Sequence, residues 1–317
     1  MSNKEDKINF VSNKSFELAV KKAKRKQIAR NFLIGIISSV IILCIVYAGS
    51  SYILKKRVED DYLDIMYSQV KGANIGWTSA VNSYGFLNAR THITIEKTLG
   101  DRNIIWNSLE REVTLTNKKD ISNDTSKNTQ YSETLKRKVS YNKYNGEREI
   151  QFYYPQIEGG NLPQELNLLE KFDENKLMEI ALSFDKSYSL KELEGILGSD
   201  NVNWLWVSTN PDQGYNPKTD SNKFLSGDAA IGFSIDSPGF NEAGQLFLDN
   251  LIYLSKEGDH QKTIKKVLLG LNENSNPNIS DIQVLGAVVT GTPQQLARFK
   301  DVDIIRASTL GATIDVY

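Results

Sequence analysis

From Asn31 to Leu54 the chain reads NFLIGIISSVIILCIVYAGSSYIL, twenty-four residues without a charge. At about 1.5 Å per residue an α-helix of that length reaches about 36 Å, enough to cross a hydrocarbon core of roughly 30 Å with some tilt. A helix buried in a soluble core rarely keeps so long a stretch free of charge. Tyr47 and Tyr52 sit near one end of the run, where interfacial aromatics are favoured. The run therefore predicts a transmembrane helix over 31–54.

The flanks orient it. Residues 1–30 hold nine Lys or Arg against Glu5, Asp6 and Glu17, a surplus of six positive charges. Since the whole chain carries −1, the part beyond the run carries a deficit of seven. Lys21, Lys22, Lys24, Arg25, Lys26 and Arg30 precede the run. Lys55, Lys56 and Arg57 follow it and are at once opposed by Glu59, Asp60, Asp61 and Asp64. The stronger basic cluster stays inside, so the N-terminus is expected in the cytoplasm and the C-terminal part outside. Val46-Tyr47-Ala48 also satisfies the small-residue pattern of a signal peptidase site. A leader of 30 residues before the apolar run is long for a signal peptide, so an uncleaved anchor is the reading adopted.

A basic head, an uncharged run and an acidic body form a membrane pattern and argue against direct nucleic-acid binding. The chain has 317 residues, 40% hydrophobic and 24% charged, which is material for about two globular domains. Its single cysteine, Cys44, lies inside the apolar run, so an exported domain must fold without disulfides. No cysteine-based zinc site is possible, and His92 and His260 are the only imidazoles. No nucleophile is paired with a base, and the Asp- and Asn-rich stretch 200–228 lacks the ordered spacing of a calcium loop. The expectation is a chain that is not an enzyme and carries no metal or cofactor.

Beyond the span, VEDDYLDIMYSQVK (58–71) places Val58, Tyr62, Ile65, Met66 and Val70 on one helical face and reads as a short stalk. ARTHITIEKTL (89–99) and REVTLT (111–116) alternate as strands do. Residues 117–135 are polar enough to read as a loop. Asn145-Gly146 between β-prone runs signals a hairpin with a type I′ turn. KLMEIALSF (176–184) is compatible with strand or helix on periodicity alone. Ser189 and Glu192 form a capping box that opens a short helix, with Asp185 and Lys186 expected in the turn before it. NWLWVST (203–209) reads as a strand whose Trp204 and Trp206 share a face, more simply core than exposed platform. Helices are expected over 241–257 and 260–271. A strand over 282–291, a helix over 293–300 capped by Thr292 and Pro293, and strands around 303–308 and 311–316 follow. The fold class is thus a single transmembrane helix plus an exported α+β domain with a mixed sheet. Its parts are a cytoplasmic segment 1–30, the span 31–54, a membrane-proximal β-rich region 55–140, and an α/β domain 141–317.

Several stretches carry a family likeness: FELAVKKAKRKQIARNFLIG (16–35), YGFLNAR (84–90), YNGEREIQFYYP (144–155), EIALSFDKSYSLKELEGIL (179–197), NWLWV (203–207) and VLGAVVTGTPQQL…IIRASTLGATID (284–315). In this order, joined to a basic head and a span, they resemble the membrane-bound anti-sigma factors of Gram-positive bacteria. Those proteins have a sigma-factor regulator N-terminal domain around the span and a sigma-factor regulator C-terminal domain outside. The resemblance makes 176–184 a strand. It implies an extracytoplasmic-function sigma factor as partner, encoded nearby and held inactive at the membrane, with another envelope protein as a further contact. Residues 1–30 contain neither the His nor the Cys-x-x-Cys of a zinc-binding anti-sigma domain, and so short a segment cannot fold by itself.

Capture would then fall to one helix ordered on binding. Phe10, Phe16 and Val20 are its apolar anchors, and Lys21 and Lys22 its steering charges. From the residues alone, a solvated tail whose lysines only fix topology and touch anionic lipid is the favoured explanation of this head, and the resemblance reverses that preference. The competing function is an anchored envelope module, binding wall or peptide, with no sigma partner.

Overall fold

The structure, a computed structural model, describes residues 14–123, 126–157, 162–209, 224–235 and 239–317. Its first element is a single helix, α1 (Lys14–Val70), that runs without a break through the apolar segment. No proline precedes Pro155, and Lys, Ala, Arg and Gln fill 21–29, so local preference favours helix up to the span. Within the span, every backbone group must be satisfied internally, which enforces helix despite the Ile and Val content. The helix ends at Val70. Gly72 (φ 119°) and Asn74 (φ 55°) then turn the chain back.

Four antiparallel strands follow in sequential order: β1 (Gly76–Tyr84), β2 (Asn88–Leu99), β3 (Arg102–Thr114) and β4 (Lys118–Asn123). Alternation along β2 buries Ala89, Thr91 and Ile93. Ala89 and Val113 pack on Leu54 and Val58 of α1, and Ile93 and Leu109 pack on Ile65. The segment expected to be a short stalk is therefore a core element of the folded part that follows the apolar run. Tyr62 alone of the five predicted face residues stays well exposed.

Next come the hairpin β5 (Lys127–Ser132) and β6 (Arg137–Asn142), and then the short β7 (Gln151–Phe152). Residues 117–135 are thus largely strand, not loop. Their strands are polar on both faces and are held by ladder hydrogen bonds, which composition does not register. The reversal at Asn145-Gly146 occurs, but only Gly146 has positive φ (77°), so the turn is not type I′.

The remaining strands are β8 (Lys176–Ser189), β9 (Val202–Val207), β10 (Leu225–Ser226), β11 (Gly232–Ser234), β12 (Gln283–Gly291) and β13 (Ile305–Asp315). Five of them form a sheet in the order β11-β9-β12-β8-β13, and β10 pairs with β7. Every ladder in the sheet is antiparallel, so it is not mixed. β13 is one strand with an irregularity between Leu310 and Thr313, where two shorter strands were expected.

Helices α2 (Leu190–Leu197), α3 (Phe240–Leu254) and α4 (Gln261–Leu271) cover one face. Phe247, Leu251, Ile264 and Leu268 pack there against Ile180, Leu182 and Val289. The other face is covered by Ile150 and Phe152 against Trp204, Trp206 and Val288. Burial on both faces explains the continuous apolar run of β8. A short helix, α5 (Pro293–Leu296), follows β12 and is capped by Thr292 as predicted; the capping box of Ser189 and Glu192 also forms. Helices on one face of an antiparallel sheet make this an α+β domain joined to one long apolar helix.

Candidate functional site

The last turns of α1 lie between the two sheets, and polar as well as apolar contacts fix them. Arg111 of β3 reaches Asp61 (3.1 Å), Asp64 (2.7 Å) and Asp120 (2.7 Å), while Lys118 of β4 reaches Asp61 (2.9 Å). Asp64 also meets His260 at the start of α4 (3.3 Å). The His260 ring stacks on Tyr67, centroids 3.8 Å apart and 10° from parallel. Leu63, Met66 and Tyr67 pack on the core of the five-stranded sheet. One helix thus grips both the four-stranded and the five-stranded sheet.

A second connection is buried deeper. The Lys97 ammonium donates to both oxygens of Glu179 at 2.9 Å, with side chains 2% and 0% exposed. Asn74, just past α1, donates to the same carboxylate (3.0 Å) and to Thr98 O (3.0 Å). Lys97 also lies 4.0 Å from the centroid of the Trp106 ring. The end of α1, β2 and the interior strand β8 therefore converge on one carboxylate. Nearby, Glu165 accepts from Arg148 (2.6 Å) and from the Leu310 amide (2.7 Å). Burial raises the Glu149 pKa against the opposing pull of Lys97 and Lys127.

None of these junction residues was singled out by motif. Glu179 had a signal: it is the one acid inside KLMEIALSF, three residues past Lys176 and amid apolar neighbours, and a strand buried on both faces requires such a charge to be paired. Its partner sits 82 residues away in sequence, beyond any local pattern.

At the other end of α1, Phe16 and Val20 lie one turn apart on one face and are 66% and 49% exposed. Lys21 and Lys22 follow, also exposed. The structure brings these four together on a helix with nothing packed against them among the described residues. Phe10 lies outside the described residues.

The other candidates resolve into structure. Trp204 and Trp206 are core residues. Asp185 and Lys186 lie within β8, not in a turn: Asp185 accepts from the Tyr188 hydroxyl (2.7 Å) and Lys186 sits over the Tyr188 ring. Burial and that hydrogen bond push Tyr188 up to about 12. His92 is exposed beside Ser108. Of the 200–228 stretch, 210–223 lie outside the described residues. Among the described residues no three His, Cys, Asp or Glu side chains gather as metal ligands.

A helix long and apolar enough to cross a membrane, with an open apolar face at one end and a clamp at the other, can carry a positional change along its length. No curated protein and no solved structure matches the chain. Residues 169–312, which hold β8 through most of β13 and less than half of the chain, match the model of the sigma factor regulator C-terminal family, and this match supports a role as a regulator of a sigma factor.

Proposed function

We propose that the chain is a membrane-anchored anti-sigma factor. Its N-terminus is cytoplasmic, and residues 1–30 hold an extracytoplasmic-function sigma factor inactive. The region 55–140 and the domain 141–317 lie outside, respond to an envelope signal or another envelope protein, and act through α1. The chain itself catalyses nothing and touches no nucleic acid directly.

One observation carries the reading: the domain matched to the sigma factor regulator C-terminal family is clamped to the C-terminal end of the same helix whose N-terminal end bears Phe16 and Val20. The charge surplus before the span supports the orientation. Because the inner segment is short, affinity must concentrate in a few anchors. Phe16→Ala then removes on the order of 2 kcal/mol, roughly thirtyfold in affinity. Lys21 and Lys22 set on-rate and salt dependence more than residence time.

The test is capture of the sigma factor encoded beside this gene by a 1–30 peptide, wild type against Phe16→Ala and Phe10→Ala. Equal capture by all three peptides, or none by the wild type, defeats the proposal and favours an envelope module with no sigma partner.

A further inference from the structure

The turn between β1 and β2 breaks the usual chemistry of hairpin corners. Gly85 N donates to Asn88 O (2.7 Å), which leaves Phe86 and Leu87 as the corner residues. Such corners are normally Gly, Asn, Asp or Ser, which tolerate positive φ or bond the turn's own backbone, and two large apolar side chains at an exposed tip need a cover of another kind. Here they are a phenylalanine 45% exposed and a leucine 49% exposed.

The position of this turn supplies what is missing. Ser50 of α1 donates to Phe86 O (2.8 Å), and the Phe86 ring stacks on Tyr47 at 5.9 Å between centroids. Both partners belong to the charge-free run. Counting from Arg30, the last charge before it, a hydrocarbon core of about 30 Å takes up about twenty residues and ends near Ser50. Centring the bilayer on 31–54 instead places Ser50 about 11 Å from the midplane, about 4 Å inside the boundary of the hydrocarbon. On either count the tip sits at that boundary or just inside it. Tyr52, 73% exposed, flanks it, and exposed Lys55 and Lys56 lie one turn further out, at phosphate height.

We propose that Phe86 and Leu87 form a membrane-seated wedge: the tip of the β1–β2 hairpin inserts beside α1 into the leaflet that faces the β-sheets, with acyl chains and glycerol backbones as its occupant. This rests on the membrane reading of α1 but not on its orientation or on a sigma partner. The exported part is then held to the bilayer at two points, the span and the wedge. Tilt or rotation of the four-stranded sheet is restricted accordingly.

The test uses the full chain in phosphatidylcholine vesicles with an environment-sensitive fluorophore on one cysteine at a time. Leu87→Cys and Ile105→Cys are each made in a Cys44→Ser background. Ile105 is an equally exposed control farther along the sheet, and native Cys44 reports the span. Lipids carrying a nitroxide near the headgroup are expected to quench the label at 87 roughly threefold more than the label at 105. The label at 87 should also emit to the blue. A quenched Cys44 with 87 and 105 alike in emission and quenching overturns the wedge and leaves the span standing. A blue-shifted label at 87 that lipid nitroxides do not quench sits against protein and overturns it too. Loss of quenching at all three positions sinks the wedge together with the span.

Discussion

Replacing Lys97 by Met tests the buried connection most directly. The ammonium meets both oxygens of Glu179, and the pair is 2% and 0% exposed, so no discount for solvent screening applies. Removing one member of such a pair leaves a buried charge uncompensated, at a cost of about 3–5 kcal/mol. For an exported part of this size that corresponds to a fall in Tm on the order of 10 °C. Met keeps most of the apolar stem, so cavity formation adds little. In Lys97→Met/Glu179→Gln no charge is stranded, and the amide oxygen still accepts from Asn74. The double variant is expected to recover about 2 kcal/mol relative to the sum of the singles. Urea unfolding of the full chain in mild detergent, followed by tryptophan fluorescence, reads this. Trp106 touches Lys97, while Trp204 and Trp206 sit in the other sheet. Single variants that each lose less than about 1 kcal/mol, or strict additivity in the double, refute the reasoning.

Other predictions concern topology, docking and pH. In intact cells, Leu18→Cys should resist an impermeant thiol reagent while Ile121→Cys is labelled; the reverse pattern inverts the orientation. Tyr67→Ala removes the stack on His260, worth about 1 kcal/mol, and should speed hydrogen exchange in the first turn of α4 and raise transcription from the sigma factor's targets. Glu149 carries a raised pKa in the folded state, so its charged form is destabilising above that value. This penalty is fully present at high pH, is relieved as pH falls through the raised value, and is gone below the ordinary carboxyl value. Glu149→Gln should therefore stabilise the protein at pH 8, with the advantage closing toward pH 4; a constant difference across that range rejects the assignment.

What the sequence discloses follows from the reach of each signal. The span is legible because twenty-four uncharged residues need no partner to be interpreted. The caps of α2 and α5 are legible because both halves of each box lie within four residues. β4 and β5 are not, since polar residues on both faces leave hydrophobic periodicity silent while the backbone still pairs. The antiparallel order of the five-stranded sheet is equally hidden, because neighbours such as β8 and β13 are separated by long stretches of chain. At the site, Phe16 and Val20 are found by helical spacing. Lys97, Arg111 and Glu179 matter only once distant strands are brought together, and Leu63 and Tyr67 were read as stalk for want of the helices that cover them.

The unbroken course of α1 from Lys14 to Val70 has a rotational consequence. At about 100° per residue, the forty-seven steps from Val20 to Tyr67 amount to thirteen turns and about 20°, and the steps from Phe16 leave about 60°. The face that bears Phe16 and Val20 and the face that bears Tyr67 are thus nearly in phase, like two keys cut on one shaft about 85 Å long. Length and angle are locked together in such a shaft. One extra residue in the span would turn the inner key by about 100°, whereas seven would return it to within about 20° while lengthening the shaft by about 10 Å. Angular register, as well as hydrophobicity, is therefore a quantity that the apolar segment has to keep.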